Sequence, residues 1–238
     1  MKTLLTLLVL ICNGIAYSQH TNTSSKLNHN NFNVLLQKHV SSTGNVSYKG
    51  FASDKEKLTT YLNHLSNNPP KLTWSKNEQL AYWMNTYNAF TIKLIIDNYP
   101  IKSIKHIKKP WDTKFIKIGH DYMSLNDIEH NILRKLNDPR IHFGINCASF
   151  SCPQLLNKAF TAASVHDDLD SLAHQFINDD NRNILSEDHI QLSKIFQWFS
   201  KDFKSEGTLI DYLNTYSDVK IYSNAKKSYL KYNWDLNE

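Results

Sequence analysis

The sequence has few of the residues that mark fibrous, low-complexity or disulfide-rich chains. Its 238 residues include only 6 glycines, 6 prolines and 3 cysteines. That composition excludes a collagen-like chain, a Pro/Gly-rich chain and a dense disulfide scaffold. No segment after the first residues approaches the ~20 apolar residues of a transmembrane helix. Hydrophobic residues make up 41% of the chain and aromatic residues 12%, so a globular domain with a sizeable core is predicted.

Several motifs are absent as well, and each absence removes a class of site. There is no G-x-S-x-G pentapeptide, which excludes a serine hydrolase of the nucleophile-elbow type. The 11 histidines form neither H-E-x-x-H nor a two-cysteine, two-histidine spacing, so no metal site is predicted. No cofactor is predicted either. A metal held by His120, Glu129, His130 and His142 is the weaker rival interpretation.

The positive charge is concentrated in one segment. Residues 101–117 carry six lysines and no arginine, within a net charge of +5. Lysine lacks the fork geometry with which arginine recognises phosphates. We therefore interpret the run as a solvated face rather than an anion-binding patch, and no nucleic acid partner is predicted.

The first residues, MKTLLTLLVLICNGIAYSQ, have the pattern of a secretory signal peptide. Lys2 precedes a short apolar run, and Ala16-Tyr17-Ser18 fits a small-x-small cleavage site. The prediction is a cleaved signal peptide over residues 1–18, a polar leader over 19–30 and one globular domain over 31–238. The mature protein is expected to be secreted or periplasmic, with no transmembrane segment.

Local signals predict more helices than strands. Capping boxes at residues 53–56 and 75–78 begin two helices, and the second continues to Asn98 with an apolar stripe that includes Trp83. Asn85 and Asn88 lie beside that stripe, and their amides must find partners, either as structural bridges or as active-site donors. Further helices are predicted over residues 32–40, 125–136, 165–178 and 193–203 and after Thr208. Extended segments are predicted within 41–51, around 119–121, and over 140–146, 219–223 and 229–234. Residues 183–193 are predicted to form a hairpin. Because the strands are scattered between helices, we predict a single helix-rich α+β domain with a small mixed or antiparallel sheet.

The stretch RIHFGINCASFSCPQL (140–155) holds both cysteines of the mature chain. Cys147 and Cys152 could form a disulfide in an exported protein, or Cys147 could be a nucleophile that needs a base and a third group to orient the base. If residues 140–146 form a straight strand, His142 and Cys147 lie roughly 16 Å apart. Either the chain turns near Asn146, or His130 is the base; the residues alone leave both alternatives open.

Four blocks of the sequence resemble the family called domain of unknown function 547. They are AYWMNTYNAFTIKLIIDNYP, SLNDIEHNILR, DPRIHFGINCASFSCPQL and LSKIFQWFSKDF. The resemblance implies a fold similar to cysteine peptidases and transglutaminases, with a cysteine, a histidine and a carboxylate as the site. Carried to this chain, those residues are Cys147, His142 and Glu129.

The sequence thus predicts an exported thiol hydrolase or acyltransferase that acts on an amide-like bond. Cys147 attacks, His142 (or His130) is the base, Glu129 orients it, and Asn88 or backbone N–H groups hold the oxyanion. The substrate is a peptide, a cell-wall fragment or a lipid amide. The alternative prediction is a non-enzymatic envelope or glycan binding module with structural cysteines.

Overall fold

The protein is described over residues 27–238 by a computed structural model. It is 46% helical and 9% strand, which confirms the prediction of a helix-rich α+β fold. The α-helices are α1 (Asn30–His39), α2 (Tyr48–Ser53), α3 (Lys55–Asn67), α4 (Lys76–Ile96), α5 (Ile141–Gly144), α6 (Val165–Ile177), α7 (Ile195–Trp198), α8 (Ser200–Phe203) and α9 (Leu209–Tyr216).

Helix α4 is the central element of the core. Ser75 caps it as predicted, because its hydroxyl accepts from the Glu78 amide while the Glu78 carboxylate accepts from the Ser75 amide. Every residue from Leu80 to Ile92 is buried, so α4 is covered on all sides and not only along the predicted stripe. Helices α2, α3, α5 and α6 pack around it.

The strands form two small sheets. Strands β1 (Ile116–Ile118) and β2 (Asp121–Met123) make an antiparallel pair around Gly119, as predicted. Strands β3 (Ile184–Leu185) and β4 (His189–Leu192) are antiparallel, and β5 (Lys226–Tyr229) joins β4 in parallel. The second sheet is therefore mixed, in agreement with the predicted small mixed or antiparallel sheet.

The predicted strand over residues 140–146 is wrong. Residues Ile141–Gly144 form the helical turn α5, closed by the Ile145 amide bonded to the Ile141 carbonyl at 3.0 Å. The apolar residues alternate as in a strand, yet all four residues of the turn are buried. Short apolar runs cannot distinguish a buried strand from a buried helical turn.

Other segments also differ from the prediction. Residues Tyr48–Ser53, predicted as part of an extended segment within 41–51, form the helix α2. The capping box predicted at residues 53–56 does not form, because the N-cap of α3 is Asp54 and its side chain makes no capping hydrogen bond. The helix expected over 125–136 is a π-helical turn, Asp127–Ile132, followed by a 3-10 helix, Leu133–Leu136. The helix expected over 193–203 is divided into α7 and α8 at Phe199. Residues 219–223 form no strand, and of 229–234 only Tyr229 belongs to one.

No helix within residues 27–238 is long and apolar enough to cross a membrane. The predicted signal peptide and most of the predicted leader lie outside the described residues, so their prediction stands untested.

Candidate active site

A cavity of about 190 Å³ lies beside Cys147. Its polar side chains are those of Asn126, Glu129, His130, His142, Cys147 and Cys152. Its remaining walls are aromatic and aliphatic. They come from α4, the segment before β1, the loop after α5, the region of α7 and the C-terminal segment: Tyr87, Trp111, Ile145, Pro153, Ile195, Trp198, Phe199, Tyr232 and Trp234. The cavity therefore brings together the cysteine and both histidines predicted from the sequence, although Asn88 does not line it.

Two asparagine side chains hold the loop that carries Cys147. The Asn88 amide donates to the Gly144 carbonyl at 2.9 Å and accepts from the Asn146 backbone N–H at 2.8 Å. The Asn146 side chain in turn accepts from the Ala148 backbone N–H at 2.8 Å and donates to the Pro153 carbonyl at 2.7 Å. Ala148 is in the left-handed region, with φ of 61°. These bonds hold the chain in a turn near Asn146, which was one of the two alternatives that the sequence left open.

The predicted role of Asn88 as an oxyanion donor is not supported by this geometry. Both ends of its amide are bonded to backbone groups, and the side chain is 2% exposed. Asn88 is a positioning residue: it sets the path of the loop that presents the thiol.

Three side chains surround the sulfur of Cys147. Its Sγ lies 3.0 Å from Ser149 Oγ, 3.2 Å from Cys152 Sγ and 3.5 Å from Tyr232 Oη. Hydrogen bonding by Cys152 is the largest influence and, with Ser149 and Tyr232, it lowers the pKa of Cys147 to about 6 against the opposing effect of burial. Burial raises the pKa of Cys152 well above its usual range. Of the two thiols, Cys147 is therefore the more acidic, and burial keeps Cys152 in its neutral form.

The two sulfur atoms are not bonded to each other. A disulfide has an S–S distance of roughly 2.05 Å, whereas these atoms are 3.2 Å apart and both cysteines are free. The two thiols are nonetheless close enough that oxidation would need only a small movement.

His142 is held rigidly by a carboxylate and a ring. Its Nε2 lies 2.8 Å from Asp202 Oδ2, and its imidazole stacks on Phe199 with ring centroids 3.9 Å apart. A carboxylate accepts but does not donate, so Nε2 carries the proton and Nδ1 keeps its lone pair. Burial lowers the pKa of His142, although Asp202 opposes the change. No hydrogen bond joins His142 to another side chain of the cavity within residues 27–238, which leaves Nδ1 as a basic nitrogen.

Asp202, and not Glu129, occupies the position of the orienting carboxylate. Arg134 binds Asp202 with two nitrogens, at 2.6 and 2.7 Å. Despite some burial, the hydrogen bonds from His142 and Arg134 hold the pKa of Asp202 well below its usual range. Glu129, to which the sequence assigned this role, makes no hydrogen bond to His142 within residues 27–238, whereas Asp202 of α8 does.

Glu129 lines the cavity and, unlike Asp202, has no strong hydrogen-bond partner among the described residues. It is 7% exposed, and its hydrogen-bond partner among the described residues is Tyr87 Oη, at a long 3.4 Å. Burial, and then the negative charge of Cys147, raise its pKa to about 7.

His130 is less suited than His142 to act as the base. Its Nδ1 lies 3.1 Å from Arg134 Nη1, and a guanidinium only donates. The Nδ1 lone pair is therefore used in that bond. Burial and the charge of Arg134 also lower the pKa of His130.

Within the described part of the chain, no group of three or more His, Cys, Asp and Glu side chains could hold a metal ion. Of the four residues of the rival metal interpretation, Glu129, His130 and His142 line the cavity and His120 does not.

One family model matches the chain, over residues 71–177: "Protein of unknown function, DUF547". These residues belong to the DUF547 family. No curated protein and no solved structure matches the chain, so the likeness to cysteine-peptidase and transglutaminase folds stays a prediction.

The DUF547 region contains Glu129, His142 and Cys147, whereas Asp202 and Tyr232 lie beyond it. A signal for Asp202 was present, because it falls in the fourth resembling block, LSKIFQWFSKDF; for Tyr232 we find none.

Proposed function

We propose that this DUF547 protein is an exported thiol-dependent hydrolase or acyltransferase that acts on an amide-like bond. Cys147 is the nucleophile, His142 the base, and Asp202 the carboxylate that orients the base. The observation that carries the proposal is the activated thiol, which shares a cavity with a buried imidazole whose proton position is fixed by a carboxylate. Nucleophilic catalysis by cysteine needs those three parts.

The reaction proceeds in two halves. The Cys147 sulfur attacks the carbonyl carbon of the acyl donor, a C–S bond forms, and the carbonyl π electrons move onto oxygen. When the C=O bond re-forms, the bond to the leaving nitrogen breaks, and the leaving amine takes the proton that His142 Nδ1 received from the thiol. A water molecule, or an acceptor amine, then attacks the thioester while His142 Nδ1 accepts its proton, and the Cys147 thiolate is released.

The substrate we propose presents an apolar acyl group to the cavity, since most of the side chains around Cys147 are aromatic or aliphatic. Peptides, cell-wall fragments and lipid amides all include such groups. The proposal includes export of the protein, with cleavage of the signal peptide before Gln19. A measurement of the intact mass of the native protein tests this, because the mature chain should lack residues 1–18.

A second candidate function is supported by the aromatic residues at the cavity. Trp234 lies 4.5 Å from Tyr232, 5.7 Å from Trp111 and 5.8 Å from Trp198, measured between ring centroids. Lys105 Nζ lies 5.3 Å from the Trp234 ring, and Trp198 is 47% exposed. A partly exposed aromatic group of this kind suits a binding module for an envelope or glycan partner.

An acyl-enzyme trapping experiment separates the two functions. Wild-type protein is incubated with p-nitrophenyl acetate, and the acetyl group is located by intact mass and peptide mapping. We expect acetylation at Cys147, turnover of the adduct, and neither in Cys147→Ala. Acetylation elsewhere, or equal turnover by Cys147→Ala, would reject the enzyme and favour the binding module.

The variants His142→Ala and Asp202→Asn test the base. Because p-nitrophenolate leaves without a proton, both variants should still be acetylated, but they should lose the acetyl group at least ~10²-fold more slowly, as expected when general-base catalysis is removed. The exposed pair of His174 and Asp218, joined at 2.9 Å, provides the control: His174→Ala and Asp218→Asn should behave as wild type.

A further inference from the structure

The carboxyl of Glu129 has too few partners to be stable as an ion. It is 7% exposed, and the Tyr87 hydroxyl that approaches it does so at 3.4 Å, longer than a typical O–H···O bond of ~2.7 Å. Arg134 is bound by two nitrogens to Asp202, and its charge lowers the pKa of Glu129 less than burial raises it. A buried carboxyl without a cation or strong donors is protonated instead.

A protonated carboxyl is a donor, and the place it can donate to is the cavity. Glu129 lines the cavity together with Cys147. The Tyr87 hydroxyl can accept as well as donate, but at 3.4 Å it offers the O–H of Glu129 only a long contact. The site otherwise lacks the oxyanion donor that the sequence assigned to Asn88, whose amide is bonded to the backbone.

We propose that Glu129 is a further catalytic residue, which donates a hydrogen bond to the carbonyl oxygen of the substrate as Cys147 attacks the carbonyl carbon. This inference rests on the proposed function. As the π electrons move onto oxygen, the O–H of Glu129 faces a growing negative charge, and the proton stays on Glu129. A carboxylic acid that an apolar site keeps neutral is suited to this task.

The acid form of Glu129 limits the pH range of acylation. The pKa of Glu129 is raised to about 7, so its donor is present below that pH and is lost as the pH rises through it. The Cys147 thiolate, with a pKa of about 6, forms as the pH rises. Acylation should therefore be fastest between these two values. The titratable groups that share the cavity with Glu129 or act on its carboxyl are Tyr87, His130, Arg134, His142, Cys147, Cys152, Asp202 and Tyr232.

The test measures the rate of Cys147 acetylation by p-nitrophenyl acetate against pH. Wild type should show a fall above about pH 7. Glu129→Gln carries a donor that does not titrate, so its rate should stay level above that pH. Glu129→Leu has no donor and should lose about 10²–10³-fold at pH 6.5, the loss typical of removing one oxyanion donor.

Two controls keep a structural effect apart from a catalytic one. The exposed Glu206 supplies the matched variant Glu206→Gln, which should keep the wild-type profile. Alkylation of Cys147 by iodoacetamide, which forms no oxyanion, should be as fast in Glu129→Leu as in wild type at pH 6.5. Equal losses in both reactions would mean that the leucine substitution has only disturbed the thiol, and would overturn the inference.

The inference and the proposed function fail in different ways. If Cys147 is acetylated and turned over but wild type shows no fall above about pH 7, or Glu129→Gln keeps that fall, Glu129 is not the donor and the thiol enzyme stands. If Cys147 is not acetylated at all, the proposed function is overturned and this inference with it. The wild-type profile alone can decide against Glu129, so the test does not depend on the folding of any variant.

Discussion

The reactivity of Cys147 toward iodoacetamide should depend on pH in an unusual way. An ordinary cysteine has a pKa of about 8.5, whereas that of Cys147 is lowered to about 6. At pH 6 roughly half of Cys147 but only ~0.3% of an ordinary thiol is thiolate. The lower pKa also makes the thiolate a weaker nucleophile, by about 13-fold for this difference at a Brønsted slope of ~0.45.

Combining the two effects gives the expected rates. Cys147 should react roughly 12-fold faster than an ordinary thiol at pH 6, about twofold faster at pH 7, and about tenfold more slowly at pH 9. The reversal is the informative feature, because steric protection would slow Cys147 at every pH. The assay is the pseudo-first-order rate of carbamidomethylation at Cys147, measured by peptide mapping of unreduced protein beside a model peptide thiol.

Among the substitutions near Cys147, that of Cys152 should have the largest effect on the pH dependence of Cys147 alkylation. Its hydrogen bond is the largest cause of the lowered pKa of Cys147, so Cys152→Ala should shift the reactivity profile toward that of the ordinary thiol. Cys152→Ser keeps a donor and should stay near wild type. His142→Ala should change the profile little, because no hydrogen bond joins His142 to Cys147 in the described chain.

Two outcomes would refute this reasoning. Rates at pH 6 no faster than those of the model peptide would mean that the thiol is not activated. A peptide two hydrogens lighter across Cys147 and Cys152, with no labelling until a reductant is added, would mean that the native protein holds a disulfide. The binding module would then be the better interpretation.

Two further predictions concern the helix α4. Trp83 is 6% exposed and lies in the core. Trp83→Ala should therefore lower the free energy of unfolding, measured in urea, by about 3–5 kcal/mol, the range for large aromatic truncations. A loss below about 1 kcal/mol would contradict its burial. Asn88→Ala leaves two buried backbone groups unpaired, which should cost about 2–4 kcal/mol and slow the alkylation of Cys147 by loosening its loop. Asn85 is the matched control, because it makes the same pair of bonds to Phe160, at 2.9 and 3.0 Å; Asn85→Ala should cost as much stability and leave the alkylation unchanged.

The parts of the fold that were predicted from sequence are those whose signals are local. The capping box at Ser75 and the apolar spacing that follows it fix α4 within a few residues. The amides of Asn85 and Asn88 were expected to need partners, and both bind backbone groups that lie more than 50 positions away along the chain. The need for partners is visible in the sequence, but their identity depends on packing.

The prediction of a strand over 140–146 shows why periodicity fails for short segments. A strand needs a neighbouring strand to accept its backbone hydrogen bonds. Here the carbonyls of Arg140 and Ile141 bond instead to the amides of Phe143 and Ile145 at 2.9 and 3.0 Å, so the segment satisfies itself as a helical turn. A helical turn advances ~1.5 Å per residue and a strand ~3.3 Å, so the ~16 Å that a straight strand would impose between His142 and Cys147 does not apply to this segment.

The choice of carboxylate could not be made from the sequence for a related reason. Asp202 lies 60 positions from His142, and the chain contains 22 acidic residues. Any of them could satisfy the requirement for an orienting group. Glu129 was preferred through the family resemblance, and the structure puts it in the right cavity but without a bond to the imidazole.

The surroundings of Glu129, which lines the cavity, and of Asp202, which binds His142 behind it, favour different charge states. Asp202 is bound by Arg134 and His142, which hold its pKa well below the usual range. Glu129 is deeply buried with no cation of its own, and its pKa is raised to about 7. Groups whose surroundings push their pKa values apart take opposite roles in acid–base chemistry. An ionised Asp202 can only accept, so it fixes the proton of His142 on Nε2, whereas an uncharged acid could donate as well as accept and would not fix it. A neutral Glu129 can donate to a developing oxyanion, which a carboxylate would repel. Arg134 favours the ionised form of both carboxyls, but it is hydrogen-bonded to Asp202 alone.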